Sequence, residues 1–276
     1  MFQPIDRPLE IPVLAADRHA AILDTLRVQR TVRVSELAAG LGVSEMTIRR
    51  DIDSLDAAGT LRKVHGGAVS RATLSTLEPG FGVNADQRTE AKEAIASAAA
   101  ELVEPGMTIA LTGGTTTYRL VEHLTGPLTI ITNSLPAAEK LHRSAASGIT
   151  VLLTGGERSP SEALVGPIAT STVRSFNVDL CFMGSHGVDA DAGITTPNLA
   201  EADTNRAFAE QCGRLVILAD STKFGTVSLA RVAGLAAVHC IVTDQPPSDS
   251  RYAAQTTVIT PDSYASPSTQ LPQDAP

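Results

Sequence analysis

Tryptophan is absent from this 276-residue chain, and six Phe with three Tyr make up its whole aromatic complement. So few rings disfavour a binder of single-stranded nucleic acid, in which bases stack on aromatic platforms. Three cysteines, Cys181, Cys212 and Cys240, are too few and too irregularly spaced for a disulfide framework or a Cys-x-x-Cys metal site. The histidines are scattered, with no His-Glu-x-x-His and no close Cys/His pair, so neither a metal nor a cofactor is expected. No run approaches ~18 uninterrupted apolar residues. The first nine residues hold Asp6 and Arg7 rather than a basic-then-apolar leader, and a cytoplasmic protein with no membrane partner is expected by elimination.

A basic excess is lacking too. The net charge is −8, which excludes a purely structural DNA-bending protein, since that role needs a strongly basic chain. The charge is unevenly spread, however. Residues 1–71 carry ten Lys/Arg and nine Asp/Glu, net +1, while the remainder carries twelve and twenty-one, net −9. Such asymmetry hints at a nucleic-acid-facing module on an acidic body. With 43% hydrophobic and 19% charged residues, the chain reads as globular, with one large or two unequal domains.

Pro4, Pro8 and Pro12 make the first residues an irregular lead-in. From Asp17, a good N-cap, Ile22, Leu23 and Leu26 recur at helical spacing. Residues 31–34 can run extended. Ser35 then caps a short helix that ends between Gly40 and Gly42, and Ser44 caps a third helix that Gly59 stops. Residues 61–69 are extended, basic and broken at Gly66-Gly67, as a β-wing would be. Three helices with a tight turn before the third, followed by a wing, predict a winged helix-turn-helix. On a helical wheel Ile48, Ile52 and Leu55 share one arc, leaving Met46, Thr47, Arg49 and Arg50 on the other. Arginines so placed can fork onto guanine edges in a major groove, and Ser44 and Thr47 can donate to phosphate.

Ser35-Glu36-Leu37-Ala38, Leu41-Gly42-Val43-Ser44-Glu45-Met46-Thr47-Ile48-Arg49-Arg50-Asp51-Ile52 and Leu61-Arg62-Lys63-Val64-His65-Gly66-Gly67-Ala68 together resemble the DeoR-type bacterial repressor family. The distinctive parts are Thr47-Ile48-Arg49-Arg50-Asp51 and His65-Gly66-Gly67-Ala68. The DNA-contacting set then expected is Ser35, Ser44, Met46, Thr47, Arg49, Arg50, Arg62, Lys63 and His65.

Residues 71–88 lack sustained periodicity and read as a linker. An Ala-rich helix follows over 89–104, with Ile95, Ala99 and Leu102 on one face and Pro105-Gly106 as its stop. Apolar strand-like runs then alternate with helices: 107–111, Leu128–Thr132, Ile149–Leu153, 178–183, 215–219 and 238–242, with one intervening helix reaching about Ala145 and another near 201–212. This alternation predicts a mostly parallel sheet, whose ligands bind beyond the carboxyl ends of the strands. Four such ends carry small polar residues suited to an anion: Gly113-Gly114-Thr115-Thr116-Thr117, Asn133-Ser134, Thr154-Gly155-Gly156 and Asp220-Ser221-Thr222-Lys223. A phosphate is expected on residues 113–117 with Lys223 supplying the compensating charge. The absence of Gly-x-x-x-x-Gly-Lys-Ser/Thr disfavours a nucleotide triphosphatase. His186 and Asp189 lie where a ligand contact is conceivable, although a structural or solvent-facing role is the expectation for each.

This half also resembles the DeoR sensor domain, similar in fold to ribose-5-phosphate isomerase. The likeness rests on Gly114-Thr115-Thr116, Thr132-Asn133-Ser134, Thr154-Gly155-Gly156, Gly184-Ser185-His186-Gly187-Val188-Asp189, Gly193-Ile194-Thr195 and Asp220-Ser221-Thr222-Lys223-Phe224-Gly225. Many relatives have an acidic residue two positions before the Gly-Thr-Thr, where this chain has Thr112, and that departure bears on contacts to sugar hydroxyls.

The expected architecture is α/β: a winged helix-turn-helix over 14–70, a linker over 71–88, a larger α/β domain over 89–260 with a mostly parallel sheet, and a disordered tail over 261–276. The expected function is an effector-responsive transcriptional regulator, a repressor by resemblance. It would act as a homo-oligomer, dimer or tetramer, on double-stranded operator DNA under control of a phosphorylated sugar. The rival, a sugar-phosphate isomerase or deaminase carrying a DNA-binding head, could use Asp220 as base and Lys223 as electrophile, but it lacks a second carboxylate placed by motif. No catalytic residue is therefore assigned.

Overall fold

The computed structural model describes residues 14–29, 31–58, 60–64, 66–70, 80–143 and 148–262. The proline-rich lead-in, Gly59, His65 and Ala145 lie outside them, as does the expected tail apart from Pro261 and Asp262. The chain divides into two compact units at about residue 73.

The first unit holds α1 (Ala15–Gln29), β1 (Thr31–Arg33), α2 (Val34–Leu41), α3 (Glu45–Ala57), β2 (Leu61–Val64) and β3 (Gly67–Ser70), with the strands in the antiparallel order β1-β3-β2. Ile22, Leu26, Leu37, Ile48, Ile52, Leu55 and Leu61 form its core. The residues of α3 expected to face inward do so. Gly42 closes α2 at φ 65°, where a side chain would be strained. Ser44 caps α3 by accepting from the Thr47 amide at 3.2 Å. Two caps differ from expectation. The first helix starts at Ala15, with Asp17 inside its first turn, and Val34 opens α2 with Arg33 as N-cap, so Ser35 sits within the helix. Buried Val34 decides the latter, because its packing places the helix start two residues earlier than the polar signal does.

The second unit begins, among the described residues, with α4 (Phe81–Ala85), inside the span expected to be a linker, and α5 (Thr89–Ala100). Then come β4 (Thr108–Leu111), α6 (Thr115–Leu120), β5 (Leu128–Thr132), α7 (Leu135–Arg143), β6 (Ile149–Leu153), β7 (Glu157–Arg158), β8 (Leu164–Val165) and α8 (Pro167–Val173). The chain continues through β9 (Val178–Gly184), β10 (Gly187–Asp189), β11 (Gly193–Thr196), α9 (Leu199–Glu210), β12 (Cys212–Leu218), β13 (Ala230–Ala233), β14 (Cys240–Val242) and β15 (Thr257–Ile259).

Seven of these strands form one parallel sheet in the order β15-β14-β12-β9-β4-β5-β6. Its central strands are apolar over residues 109–111, 180–183 and 215–218, where both faces are covered. Ile109, Leu111, Leu180, Phe182, Val216 and Leu218 pack on one face with Ile95 and Ala99 of α5, and Ala110, Cys181, Met183, Leu215 and Ile217 on the other with Ala202 and Phe208 of α9. A side sheet, β10-β11-β13, and the pair β7-β8 are antiparallel. Among the described residues no helix is long and apolar enough to cross a membrane.

Candidate functional site

In the first unit, α3 leaves Met46 61% exposed and Arg49 and Arg50 exposed on the face away from the core. Two charges on this surface are already paired: Arg49 lies 3.3 Å from Glu45 and Lys63 lies 2.5 Å from Asp53. Ser44 and Thr47 exchange a hydroxyl contact of 2.9 Å at the start of the helix, and Ser35 is exposed. His65 is outside the described residues. A partly buried tether holds the helix from behind, with Arg18 of α1 donating to both oxygens of Asp51 at 2.8 and 3.0 Å and His19 within 3.2 Å. Burial pushes the Asp51 carboxyl up, but Arg18 and His19 outweigh it and hold its pKa below the usual carboxylate range.

In the second unit a cleft opens at the carboxyl ends of three adjacent strands, β4, β9 and β12. From β4 come Gly113, Gly114, Thr115 and Thr116; from β9, Gly184, Ser185 and His186; from beyond β12, Asp220, Thr222 and Lys223. Phe81, Asn84, Gln87, Arg88 and Lys92 line it from the segment that precedes the sheet, and Ser161 and Glu201 complete the lining.

The loop after β4 must approach its neighbours closely. A Cβ on Gly113 would stand 2.5 Å from the Ala163 Cβ, so the position admits only glycine without displacement. Of the expected effector-binding residues, Gly113, Gly114, Thr115, Thr116, Asp220 and Lys223 converge on the cleft. The remainder line no part of it. Thr117 is buried and donates to the carbonyls of Thr112 and Gly114. Asn133 is also buried, accepting from the Gly113 amide at 2.8 Å and donating to Leu164 at 3.0 Å, so it braces the loop from behind. Ser134 accepts from the Ala137 amide, and Gly155 and Gly156 take φ of 71° and 121° in the turn after β6.

Asp220 organises its own turn, accepting from the Thr222 amide at 3.0 Å, and lies 3.5 Å from Arg88. Arg88 itself stands at φ 51°, rare for a side-chain-bearing residue, and also reaches Asp244 at 2.9 Å and Ser221 at 3.0 Å. Among the described residues Lys223 forms no ion pair. Lys92 is buried, donates to the Asn84 carbonyl, and has its pKa lowered to about 8 by burial, with Asp220 opposing the shift. Burial, helped by the charge of Lys223, lowers His186 to about 4, so its ring is neutral at pH 7. Asp189 accepts from the amides of Asp191 and Ala192 and shapes the β10–β11 turn.

Lys92 and Glu201 were not foreseen from the sequence, although a signal exists. Lys92, Ile95, Ala96 and Ala99 follow the i, i+3, i+4, i+7 stripe that α5 buries, and Glu201, Thr204, Asn205 and Phe208 do the same on α9. A charge on such a stripe needs a partner or a ligand. Among the described residues no group of three or more His, Cys, Asp or Glu could hold a metal.

The family model for the DeoR-like helix-turn-helix domain matches residues 18–73, and that for the DeoR C terminal sensor domain matches residues 87–245. The transcriptional repressor AccR of Agrobacterium fabrum is 34% identical, over 83% of this chain and 89% of its own. The lactose phosphotransferase system repressor of Staphylococcus epidermidis is 33% identical over 83% and 91%. Among solved structures, ribose 5-phosphate isomerase from Methanocaldococcus jannaschii is similar with a TM-score of 0.36 and 18% identity, over 50% of this chain and 55% of that one. With both halves matched in order, this chain belongs to the DeoR family of DNA-binding transcriptional regulators, and is a regulator rather than an enzyme.

Proposed function

We propose that this regulator represses genes of sugar metabolism, reading operator DNA with the exposed face of α3 and the wing, and sensing a phosphorylated sugar in the cleft of the second unit. The observation that carries the sensing role is the gathering of Lys92, Lys223 and Arg88 around the glycine loop at the ends of β4, β9 and β12. Cations and a close-packed backbone are what a phosphate ester requires. On the DNA side, Arg49, Arg50, Arg62 and His65 supply groove and phosphate contacts, with Ser35, Ser44, Met46, Thr47 and Lys63 around them. Regulators of this kind act in the cytoplasm as homo-oligomers, because paired half-sites need paired heads.

The segment from Gly80 to Arg88 supplies a physical route for the signal. It is the first described segment after the DNA-binding unit in chain order and forms one wall of the cleft, where Phe81 packs edge-on against Tyr118 at 5.5 Å and Arg88 holds Asp220 and Asp244. A ligand that touches Arg88 or Asn84 bears directly on this segment. Typical coupling of ~1–3 kcal/mol would change operator affinity ~5- to 150-fold.

Thermal denaturation of the full-length protein with sugar phosphates, polyol phosphates and their unphosphorylated parents tests the proposal. A ligand at a hundredfold excess over Kd stabilises by about 2.7 kcal/mol. Phosphorylated compounds should raise Tm where their parents do not, and Gly113→Ala should abolish the shift. Stabilisation by neutral sugars alone would remove the anion site.

A further inference from the structure

The cleft contains a carboxylate that phosphate binding does not call for. Glu201, in the first turn of α9, is 4% exposed and lines the cleft with Lys92, Lys223 and the glycine loop. A buried carboxylate is costly unless hydrogen-bonded, and this one is held: Thr196 Oγ1, at the end of β11, donates to Oε2 at 3.2 Å. The same hydroxyl lies 3.3 Å from His186 Nδ1. His186 also lines the cleft, and burial lowers its pKa to about 4. A carboxyl group adds nothing to the binding of a phosphate, but its oxygens are strong acceptors for hydroxyl donors.

Position 112 offers no substitute. The Thr112 hydroxyl accepts the Gly184 amide at 3.3 Å, and the residue is fully buried outside the cleft lining.

We propose that Glu201 is the hydroxyl-reading residue of this cleft, accepting hydrogen bonds from a polyhydroxylated phosphate ester and so selecting sugar or polyol phosphates over inorganic phosphate. This specificity role rests on the sugar-phosphate site proposed above. The cations and the glycine loop hold the anion, which every phosphate shares. Glu201, kept in place by Thr196, engages the carbon chain that distinguishes an ester from the bare ion. A merely structural Glu201, acting as a strut between β11 and α9, would affect both kinds of ligand alike.

Calorimetric titration of the full-length protein separates these roles. The probes are inorganic phosphate, ribose 5-phosphate, glucosamine 6-phosphate and a series of polyol phosphates. At least one ester should bind wild type more tightly than inorganic phosphate does. In Glu201→Gln that ester should lose about tenfold or more in affinity, the range for a hydrogen bond to a charged group, while inorganic phosphate changes less than twofold. Thr196→Val, which removes the donor but leaves the carboxylate, should give the same split with a smaller loss, and it serves if Glu201→Gln does not fold. Equal losses for ester and phosphate, or none for either, would overturn the role of Glu201 and leave the anion site standing. So would a wild type that binds no ester more tightly than inorganic phosphate. If no phosphate species binds wild type at all, the sensing cleft itself falls, and Glu201 with it.

Discussion

The exposed arginines of α3 and the buried charges of α5 and α9 are used in opposite ways. On α3 the apolar stripe is Ile48, Ile52 and Leu55, and Arg49 and Arg50 project into solvent. On α5 and α9 the charged residues Lys92 and Glu201 sit on the buried stripe itself and line the cleft. Under the proposed function, the difference follows from the size of the ligand. A duplex is a large polyanion met by exposed side chains on one continuous segment, and charge in water costs little to keep there. A small ligand must be enclosed, so its charged partners are partly desolvated and come from segments far apart in the chain.

The largest effect is expected on the exposed side. Arg49→Ala and Arg50→Ala should each cost ~1–3 kcal/mol of operator affinity while leaving sugar-phosphate binding unchanged. A base-reading arginine will relax sequence preference, whereas a phosphate-contacting one will weaken all sequences and flatten the salt dependence. Fluorescence anisotropy across a salt series distinguishes them, and unchanged binding in both variants would move the recognition surface off α3.

Lys92 provides the next test, from the enclosed side. Burial holds its pKa at about 8 against an ordinary 10.5. Below pH 8 the folded state carries a disfavoured buried charge; between pH 8 and 10.5 the unfolded chain binds the extra proton, so the contribution of Lys92 to stability rises with pH. The Tm of wild type should therefore gain on that of Lys92→Met as pH is raised through this window, while its affinity for a phosphate ester declines. Parallel Tm curves for the two proteins would mean that Lys92 lies in water.

The smallest effect is expected at Thr112. Thr112→Val removes the hydroxyl that accepts the Gly184 amide and should cost about 1 kcal/mol of stability, the usual worth of one hydrogen bond. Sugar-phosphate affinity should be unaffected, since Thr112 is buried outside the cleft lining. A clear loss of affinity on calorimetric titration would restore position 112 as a ligand contact.

Much of the frame was legible because its signals are local. Leu128–Thr132 and Ile149–Leu153 are strands with the bounds that their apolar runs suggest. Ser44 and Gly42 act as caps for reasons intrinsic to a hydroxyl and to a residue without Cβ. The side sheet was not legible. It joins β11 to β13, pairing Thr195 with Arg231 across a long intervening stretch, and no local signal reports such a pairing. The same limit explains β7, β8 and β15.

At the cleft the division is finer. Residue chemistry alone marks glycine loops and Lys223 as suited to an anion, since small residues and cations have those capacities wherever they fall. Which of them face the same space depends on strand order. The sheet sets β4 beside β9 and β9 beside β12, so their three ends meet, while Asn133 at the end of β5 is turned to hold the Gly113 amide. Lys92 and Glu201 join through helices packed on opposite faces of that sheet. Periodicity by itself determined which residues would be buried; the tertiary structure decided which buried charges would share one cleft, because only the packed sheet brings residues 92, 201 and 223 within reach of a single ligand.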